Sequence, residues 1–106
     1  MIQWTTPTLR LTVRGADLSG TEAHVTVRQG IRDPIEGEVT SVEYDAGEEA
    51  TVVLADFTQA QTGRMRKGDA TVQVNFVTAD GRRLATAEKR IEVGDNHIKE
   101  VLGHGV

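Results

Sequence analysis

The sequence predicts an all-β protein, a two-sheet antiparallel β-sandwich of about seven strands with one short helical turn. Val, Ile and Thr make up 31 of the 106 residues, and these β-branched side chains favour strands because they are stiff at χ1 and suit a pleated surface. Short segments alternate apolar and polar residues, and turn signals recur about every 8 to 12 residues, as in sandwiches. A jelly roll or a partly open barrel fits the same pattern and is the alternative.

The first two strands are predicted from alternation. Apolar residues alternate with polar ones at Leu9, Leu11 and Val13, and again, after a turn over residues 15–20, at Ala23, Val25 and Val27. Each segment therefore has one apolar face, which is typical of a strand that covers a core on one side.

A second hairpin is predicted after an irregular segment. Gly30 breaks the pattern and Pro34 has no N–H to donate, so residues 31–37 are expected to be an irregular crossing or a short edge strand. In the strand over residues 38–44, alternation places Val42 and Tyr44 on one face and Val39 on the other. After a loop at 45–48, the inward positions are expected to be Ala50, Val52 and Leu54.

One helical turn is predicted over residues 57–62. Thr58 and Gln61 have the spacing of a capping box, and Phe57 precedes the cap. Gly63 and Gly68 follow closely, so the helix can have only one or two turns. Since such a short helix is unstable alone, it is expected to bridge two strands and to place Phe57 and Met65 in the core.

The longest signal is a hairpin from Ala70 to Val93. Its first strand alternates Val72, Val74 and Phe76 with polar residues, and Asp80-Gly81 is typical of a two-residue turn with positive φ angles. In the second strand, the predicted apolar face consists of Ala85, Ala87, Ile91 and Val93. Lys89 interrupts this face, so we predict a bulge or an edge position there and a possible contact surface.

Residues 1–102 are predicted to form one domain, because 106 residues provide only one core. Within it, residues 1–8 are expected to be an extended N-terminal arm. Gly94–Asn96 is a predicted turn, His97–Leu102 a predicted short helix, and residues 103–106 a frayed tail.

Charge and composition argue against several classes of function. The net charge of -4 is unlike that of a nucleic-acid-binding surface. There is no apolar run of about 18 residues and the N-terminus lacks the features of a secretory leader, so no membrane association is expected and synthesis is placed in a bacterial host cytoplasm. The chain has no cysteine, which removes disulfides, thiolate metal sites and a cysteine nucleophile.

No catalytic, metal, cofactor or small-molecule site is predicted. The acidic residues Glu43, Asp45, Glu48 and Glu49 lack the pattern of a calcium loop and suggest a solvated hairpin tip. The histidines His24, His97 and His104 lack zinc-ligand spacing. Ser19 and Ser41 have no elbow motif, so nucleophilic catalysis has no support and the chain is not expected to be an enzyme.

Partner contacts are predicted at the N-terminal arm and at Lys89. Trp4 is the only tryptophan, flanked by Thr5 and Pro7. It could close one end of the core, or it could anchor in a neighbouring subunit, since Trp is enriched at binding hot spots. A basic patch is also conceivable if the loop with Arg64 and Arg66 lies beside the loop with Arg82 and Arg83.

Four segments together resemble the small structural proteins of tailed bacteriophages and prophages. These segments are Trp4–Leu9, Phe57–Thr62, Lys67–Val74, and Asp80–Gly81 with the strand that follows to Val93. The resemblance spans nearly the whole chain and implies an immunoglobulin-like β-sandwich, similar to the N-terminal domains of siphophage upper-baseplate proteins. No catalytic residues accompany it.

The resemblance implies a subunit of the virion. The expected role is a non-enzymatic connector or accessory module of the tail or baseplate, because the chain stops near Leu102 without a longer host-binding part. Expected partners are other virion subunits and a possible homo-oligomer. The alternative is a free-standing carbohydrate- or cell-surface-binding module, which should carry exposed aromatic side chains on one sheet face.

Overall fold

Eight strands and one helix make up the computed structural model, which describes residues 1–103. In chain order they are β1 (Thr8–Arg14), β2 (Glu22–Arg28), β3 (Ile35–Glu36), β4 (Glu38–Asp45), β5 (Ala50–Asp56), α1 (Gln59–Gly63), β6 (Gly68–Val77), β7 (Arg83–Ala85) and β8 (Lys89–Val93). One sheet has the order β1-β5-β4. The other has the order β3-β2-β6-β7, and β8 pairs with β6 as well. Every pairing between strands is antiparallel.

The predicted two-sheet antiparallel sandwich is confirmed. Its strand order matches that of immunoglobulin-type sandwiches, in which one sheet contains strands B, E and D and the other contains C, F and G. In this correspondence β1 is strand B, and β7 with β8 forms strand G. No strand of residues 1–103 takes the place of strand A beside β1.

The core lies between the two sheets and contains the residues that alternation predicts on β1, β2 and β6. Val25, Val27, Val72, Val74 and Phe76 are buried, and Leu9, Leu11 and Val13 pack against them from the three-stranded sheet. Phe57 and Met65, which flank α1, are buried as predicted. Gly37 lies under Phe57, where a Cβ atom would be 2.7 Å from the ring.

The inward face of β5 was predicted wrongly. Thr51, Val53 and Ala55 point into the core, and Val52 and Leu54 lie on the opposite face and are only partly buried. Alternation could not distinguish the faces, because apolar residues occupy both. Thr51 is fully buried, and its hydroxyl donates to the Ala16 carbonyl (2.8 Å) and accepts from the Leu18 N–H (2.8 Å).

A β-bulge in β4 corrects a second prediction. The register with β5 shifts between Val39 and Ser41, so Val39 joins Val42 on the core side instead of lying opposite to it. Tyr44 shares that side by register, yet 38% of its surface is exposed. An extra residue reverses the parity of a strand, and nothing in the local alternation marks it.

Two of the predicted short segments are confirmed and one is not. β3 is the predicted short edge strand, and Thr58 and Gln61 form the predicted capping box. The predicted helix over His97–Leu102 is wrong: these residues form an irregular segment. There Asn96 accepts a hydrogen bond from the Ile98 N–H, and Gln59 binds the Leu102 backbone through both polar side-chain atoms. Of the predicted frayed tail, residues 104–106 lie outside the described residues.

The turn of the long hairpin has three residues instead of two. The Gly81 N–H donates to the Thr78 carbonyl and the Thr78 N–H donates to the Arg82 carbonyl. Gly81 has a φ of 84°, and Asp80 is not among the residues with positive φ. This is a type I turn followed by a bulge glycine, which accounts for the Asp-Gly signal equally well.

Candidate interaction surfaces

The first three residues pair with the end of β8. The terminal amino group donates to the Glu92 carbonyl (2.9 Å), the Gly94 N–H donates to the Met1 carbonyl (2.7 Å), and the Gln3 N–H donates to the Gly94 carbonyl (3.0 Å). Ile2 and Gly94 form an isolated parallel bridge. The start of the predicted arm therefore extends the five-stranded sheet locally. It covers the end of the sheet edge that β8 forms.

Trp4, Thr5 and Pro7 lie against the helical segment. Thr62 is fully buried, and its hydroxyl accepts from the Thr5 N–H (3.0 Å) and donates to the Thr5 carbonyl (2.8 Å). The Phe57 N–H donates to the Pro7 carbonyl (3.1 Å). The predicted contact residues at the N-terminus thus form one surface, which is attached to the chain's own domain.

The Trp4 indole packs on Gly63. A Cβ atom on Gly63 would lie 2.4 Å from the ring, so this contact requires glycine. Trp4 has a φ of 61°, a left-handed conformation that is uncommon for a bulky residue. The indole is partly exposed. Trp4 therefore covers α1 and still presents part of its ring to solvent. This position is compatible with both predicted roles, closing one end of the core and anchoring in a neighbouring subunit.

Lys89 lies at an interrupted edge, as predicted. From Ala85 to Lys89 the chain advances four residues, while its partner on β6 advances three, from Asn75 to Val72. The extra residue is a bulge, and within it the Thr86 N–H donates to the Val74 carbonyl (2.9 Å). Among the strands of residues 1–103, β7 and β8 pair only with β6, so they form an edge of the sheet.

The bulge changes which residues share a face with Lys89. Directly opposite residues in an antiparallel pair point to the same face. Lys89 lies opposite buried Val72 and shares the core-facing side with Ile91 and Val93. Ala85, predicted on that face, lies opposite Asn75 on the outer face, and Leu84 takes the core-facing position with 43% of its surface exposed. An inward-pointing Lys at an edge opposes pairing with another strand.

Lys89 does not belong to the surface formed by Trp4, Thr5 and Pro7. The N-terminal residues cover the last residues of β8, and Lys89 is its first. Val93 lies four residues along the strand from Lys89, or roughly 13 Å along the edge. The predicted contact residues therefore define two surfaces.

A concavity lies on the outer face of the five-stranded sheet. Its volume is about 440 Å³, and it is lined by His24, Thr26, Pro34, Glu36, Asn75, Val77 and Arg83. His24 Nδ1 is 2.6 Å from Oε1 of Glu36, and Nε2 is 3.3 Å from Oε1 of Glu22. The hydrogen bond to Glu36 raises the pKa of His24, with smaller contributions from the charges of both carboxylates.

The other candidate groups do not assemble into a site. The Asp45 carboxylate accepts from the Gly47 and Glu48 N–H groups, so it stabilises the hairpin loop. Within residues 1–103, no group of three His, Asp or Glu side chains is arranged to hold a metal ion. The two basic loops flank β6 at opposite ends, after residue 63 and after residue 77, so the suggested basic patch does not form.

A further surface, missed by the sequence reasoning, is the outer edge of β1. β1 pairs with β5 on one side, and no strand among the described residues pairs with its other side. Alternation shows which face of a strand is buried but not which strands are neighbours, so the sequence signal could not distinguish a central from an edge position.

The described part of the chain has no helix long and apolar enough to cross a membrane.

Compared with protein-family models and with curated proteins, the chain matches none.

Proposed function

We propose that this chain is a non-enzymatic structural or assembly subunit of a phage or prophage virion, associated with the tail or baseplate. One observation carries the proposal: two of the segments that resemble phage structural proteins, Trp4–Leu9 and Phe57–Thr62, contact each other in the folded chain. Thr5 binds Thr62 through two hydrogen bonds, and Pro7 accepts one from Phe57. These two segments thus belong to one structural unit of the folded chain.

The third segment adjoins the same unit. The Gln3 side chain donates to the Met65 carbonyl (2.5 Å), just before Lys67–Val74 begins. Backbone hydrogen bonds between distant segments hold the unit in place, and β-sandwich domains use such rigid surfaces and open edges to assemble by protein–protein contacts. The contact surface that we propose for other virion subunits is the exposed part of Trp4 with Thr5 and Pro7, together with the Lys89 side chain, at an edge that itself opposes strand pairing.

Mass spectrometry of purified particles tests the assignment. We expect the chain at a fixed stoichiometry relative to tail proteins, in particles purified through a density gradient. Its absence from particles, with the chain present in the lysate, would overturn the virion role.

Contact through Trp4 is tested by complementing a gene deletion. Trp4→Ala is expected to lower incorporation into particles, because it removes the exposed ring and leaves the backbone bonds of Thr5 intact. Ile31→Ala is the control for the loss of an exposed apolar side chain, since Ile31 is fully exposed. Equal incorporation of both variants would contradict the proposed contact.

The carbohydrate-binding alternative has no observation in its favour. The concavity on the five-stranded sheet has no aromatic side chain in its lining. Phe57 and Phe76 are buried, Trp4 lies on α1, and Tyr44, which is 38% exposed, lies on β4 of the other sheet. Saturable binding of host-wall glycans by the isolated chain, lost on Asn75→Ala, would replace the virion proposal with this one.

A further inference from the structure

The pairing with β5 determines which residues of β1 direct their backbone N–H and C=O groups toward the free edge; we call this alternation the hydrogen-bonding phase of β1. The Phe57 N–H donates to the Pro7 carbonyl and the Gly15 N–H donates to the Glu49 carbonyl, and both pairs continue the register of β1 with β5. Bonded positions alternate along an antiparallel strand. Odd-numbered residues of β1 therefore bond to β5, and the even-numbered residues Thr8, Arg10, Thr12 and Arg14 direct their N–H and C=O groups away from it.

This edge lacks the features that protect the others. β3 has two residues, β4 is bulged, and β7 with β8 is bulged, carries inward-pointing Lys89 and is covered at one end by residues 1–3. β1 has seven residues in unbroken register, with no glycine or proline and no charge on its core-facing side. Such an edge is a template for another strand.

We propose that the edge of β1 binds β1 of a second copy of this chain, in antiparallel orientation about a twofold axis at Leu11. In this register Arg10 lies opposite Thr12 of the other copy and Thr8 lies opposite Arg14. These four pairs are the positions whose backbone groups point outward, so each pair exchanges two bonds, about eight in all. The two three-stranded sheets become one sheet of six strands.

The side chains of β1 select this register. It places every arginine opposite a threonine, whereas shifts of two residues place Arg10 opposite itself or opposite Arg14, and like charges directly opposite are destabilising. On the core-facing side Leu11 meets its own copy, and Leu9 meets Val13. These three side chains are only partly buried in the single chain, so pairing removes further apolar surface from water.

The resulting dimer is closed, because the same edge serves both copies and is used up by pairing. Twofold pairing of one short strand buries a small area, so we expect a concentration-dependent dimer of the weak class. This self-association does not rest on the virion role: it is expected of the purified chain, and it would stand if the chain were absent from particles.

Disulfide cross-linking tests the register. The chain contains no cysteine, so a single introduced thiol can pair only with its copy. At the axis, residue 11 forms a non-hydrogen-bonded pair with a Cα separation of about 4.5 Å, within the range for a disulfide. We expect Leu11→Cys to give a disulfide-linked dimer under mild oxidation. Val13→Cys alone should not, because its copies lie roughly 13 Å apart, but mixed with Leu9→Cys it should.

A pair of proline variants tests the edge itself by sedimentation from low micromolar to near-millimolar concentration. Thr12→Pro removes an outward N–H of β1. Arg90→Pro removes an outward N–H of β8, since the Glu92 carbonyl two residues further on also points away from β6, toward Met1. We expect the wild type and Arg90→Pro to dimerise, and Thr12→Pro to raise the dissociation constant more than about tenfold. A wild type that stays monomeric, a dimer lost in Arg90→Pro but kept in Thr12→Pro, or open-ended assemblies without the Leu11→Cys cross-link would each overturn the proposal.

Discussion

The two sheets end in edges of opposite character. The edge of β7 and β8 carries a bulge, a core-facing lysine and a cover formed by the N-terminal residues. The edge of β1 carries seven regularly paired residues and none of these protections. An unprotected edge in a soluble protein is a liability unless a partner covers it. Under the pairing that we propose, the chain restricts pairing at one edge and leaves the other free for a second copy.

The largest expected effect tests the hydrogen-bonding phase of β1. Leu11→Pro removes an N–H that bonds to β5, leaves its carbonyl partner on β5 unpaired, and is expected to lower the free energy of unfolding by about 1–3 kcal/mol. Thr12→Pro, one residue further, removes only an outward N–H and should cost less than about 1 kcal/mol in the monomer. Urea unfolding of the two variants at low concentration measures both values. Equal losses would show that the phase is wrong.

The next effect concerns the cover over the β8 edge. Thr62→Val removes the hydroxyl that binds the Thr5 N–H and carbonyl and leaves both groups without a partner, at a cost of about 1–3 kcal/mol. Amide exchange of Gln3 and Gly94 should then accelerate, because the N-terminal segment is released. Thr40→Val is the matched control, since Thr40 is exposed and its hydroxyl makes only one long bond of 3.5 Å.

A smaller effect is expected at Lys89. Lys89→Val places an apolar residue opposite Val72 and removes the inward charge, so stability should rise by roughly 0.5 kcal/mol. The variant should also associate through a second edge and form species larger than a dimer in sedimentation. Lys99→Val, which lies outside the strands, is the control. A Lys89→Val protein whose association matches that of the wild type would show that Lys89 does not protect the edge.

The smallest effect is a pH dependence at β2 and β3. The pKa of His24 is raised in the folded state by Glu36 and Glu22, so protonated His24 stabilises the fold below its ordinary pKa of 6.5. This contribution is lost as the pH rises through the folded-state pKa. Because the pair is exposed, it amounts to roughly a few tenths of a kcal/mol. Glu36→Gln should lower the pKa of His24 in an NMR titration and weaken the pH dependence of unfolding; an unchanged pKa would contradict the pairing.

The buried face of each strand could be predicted from the sequence only where the alternation of apolar and polar residues is unbroken and one-sided. Where no residue is inserted, as in β1, β2 and β6, alternation gave the buried face correctly. Bulges at Val39 and before Lys89 reversed the faces of Val39 and Ala85, and apolar residues on both faces of β5 concealed the inward Thr51. These features depend on pairing with distant strands, which local patterns do not encode.

The interaction surfaces show the same difference between features visible in one strand and features that depend on distant residues. Lys89 was predicted at an interrupted edge because a charge in an apolar face is visible in one strand. The attachment of Thr5 to Thr62, 57 residues away, and the open edge of β1 are properties of the assembled sheets. The sequence shows Thr5, Thr62 and the residues of β1, but local patterns do not show which distant residues lie beside them in the fold.

Amide hydrogen exchange of the wild-type chain at low and high concentration tests most directly whether pairing occurs at β1 and not at β8. In the dilute protein we expect the outward amides of Arg10, Thr12 and Arg90 to exchange rapidly. At high concentration, exchange of Arg10 and Thr12 should slow while that of Arg90 stays rapid. Exchange at Arg10 and Thr12 that does not change with concentration, or equal slowing at Arg90, would contradict the account.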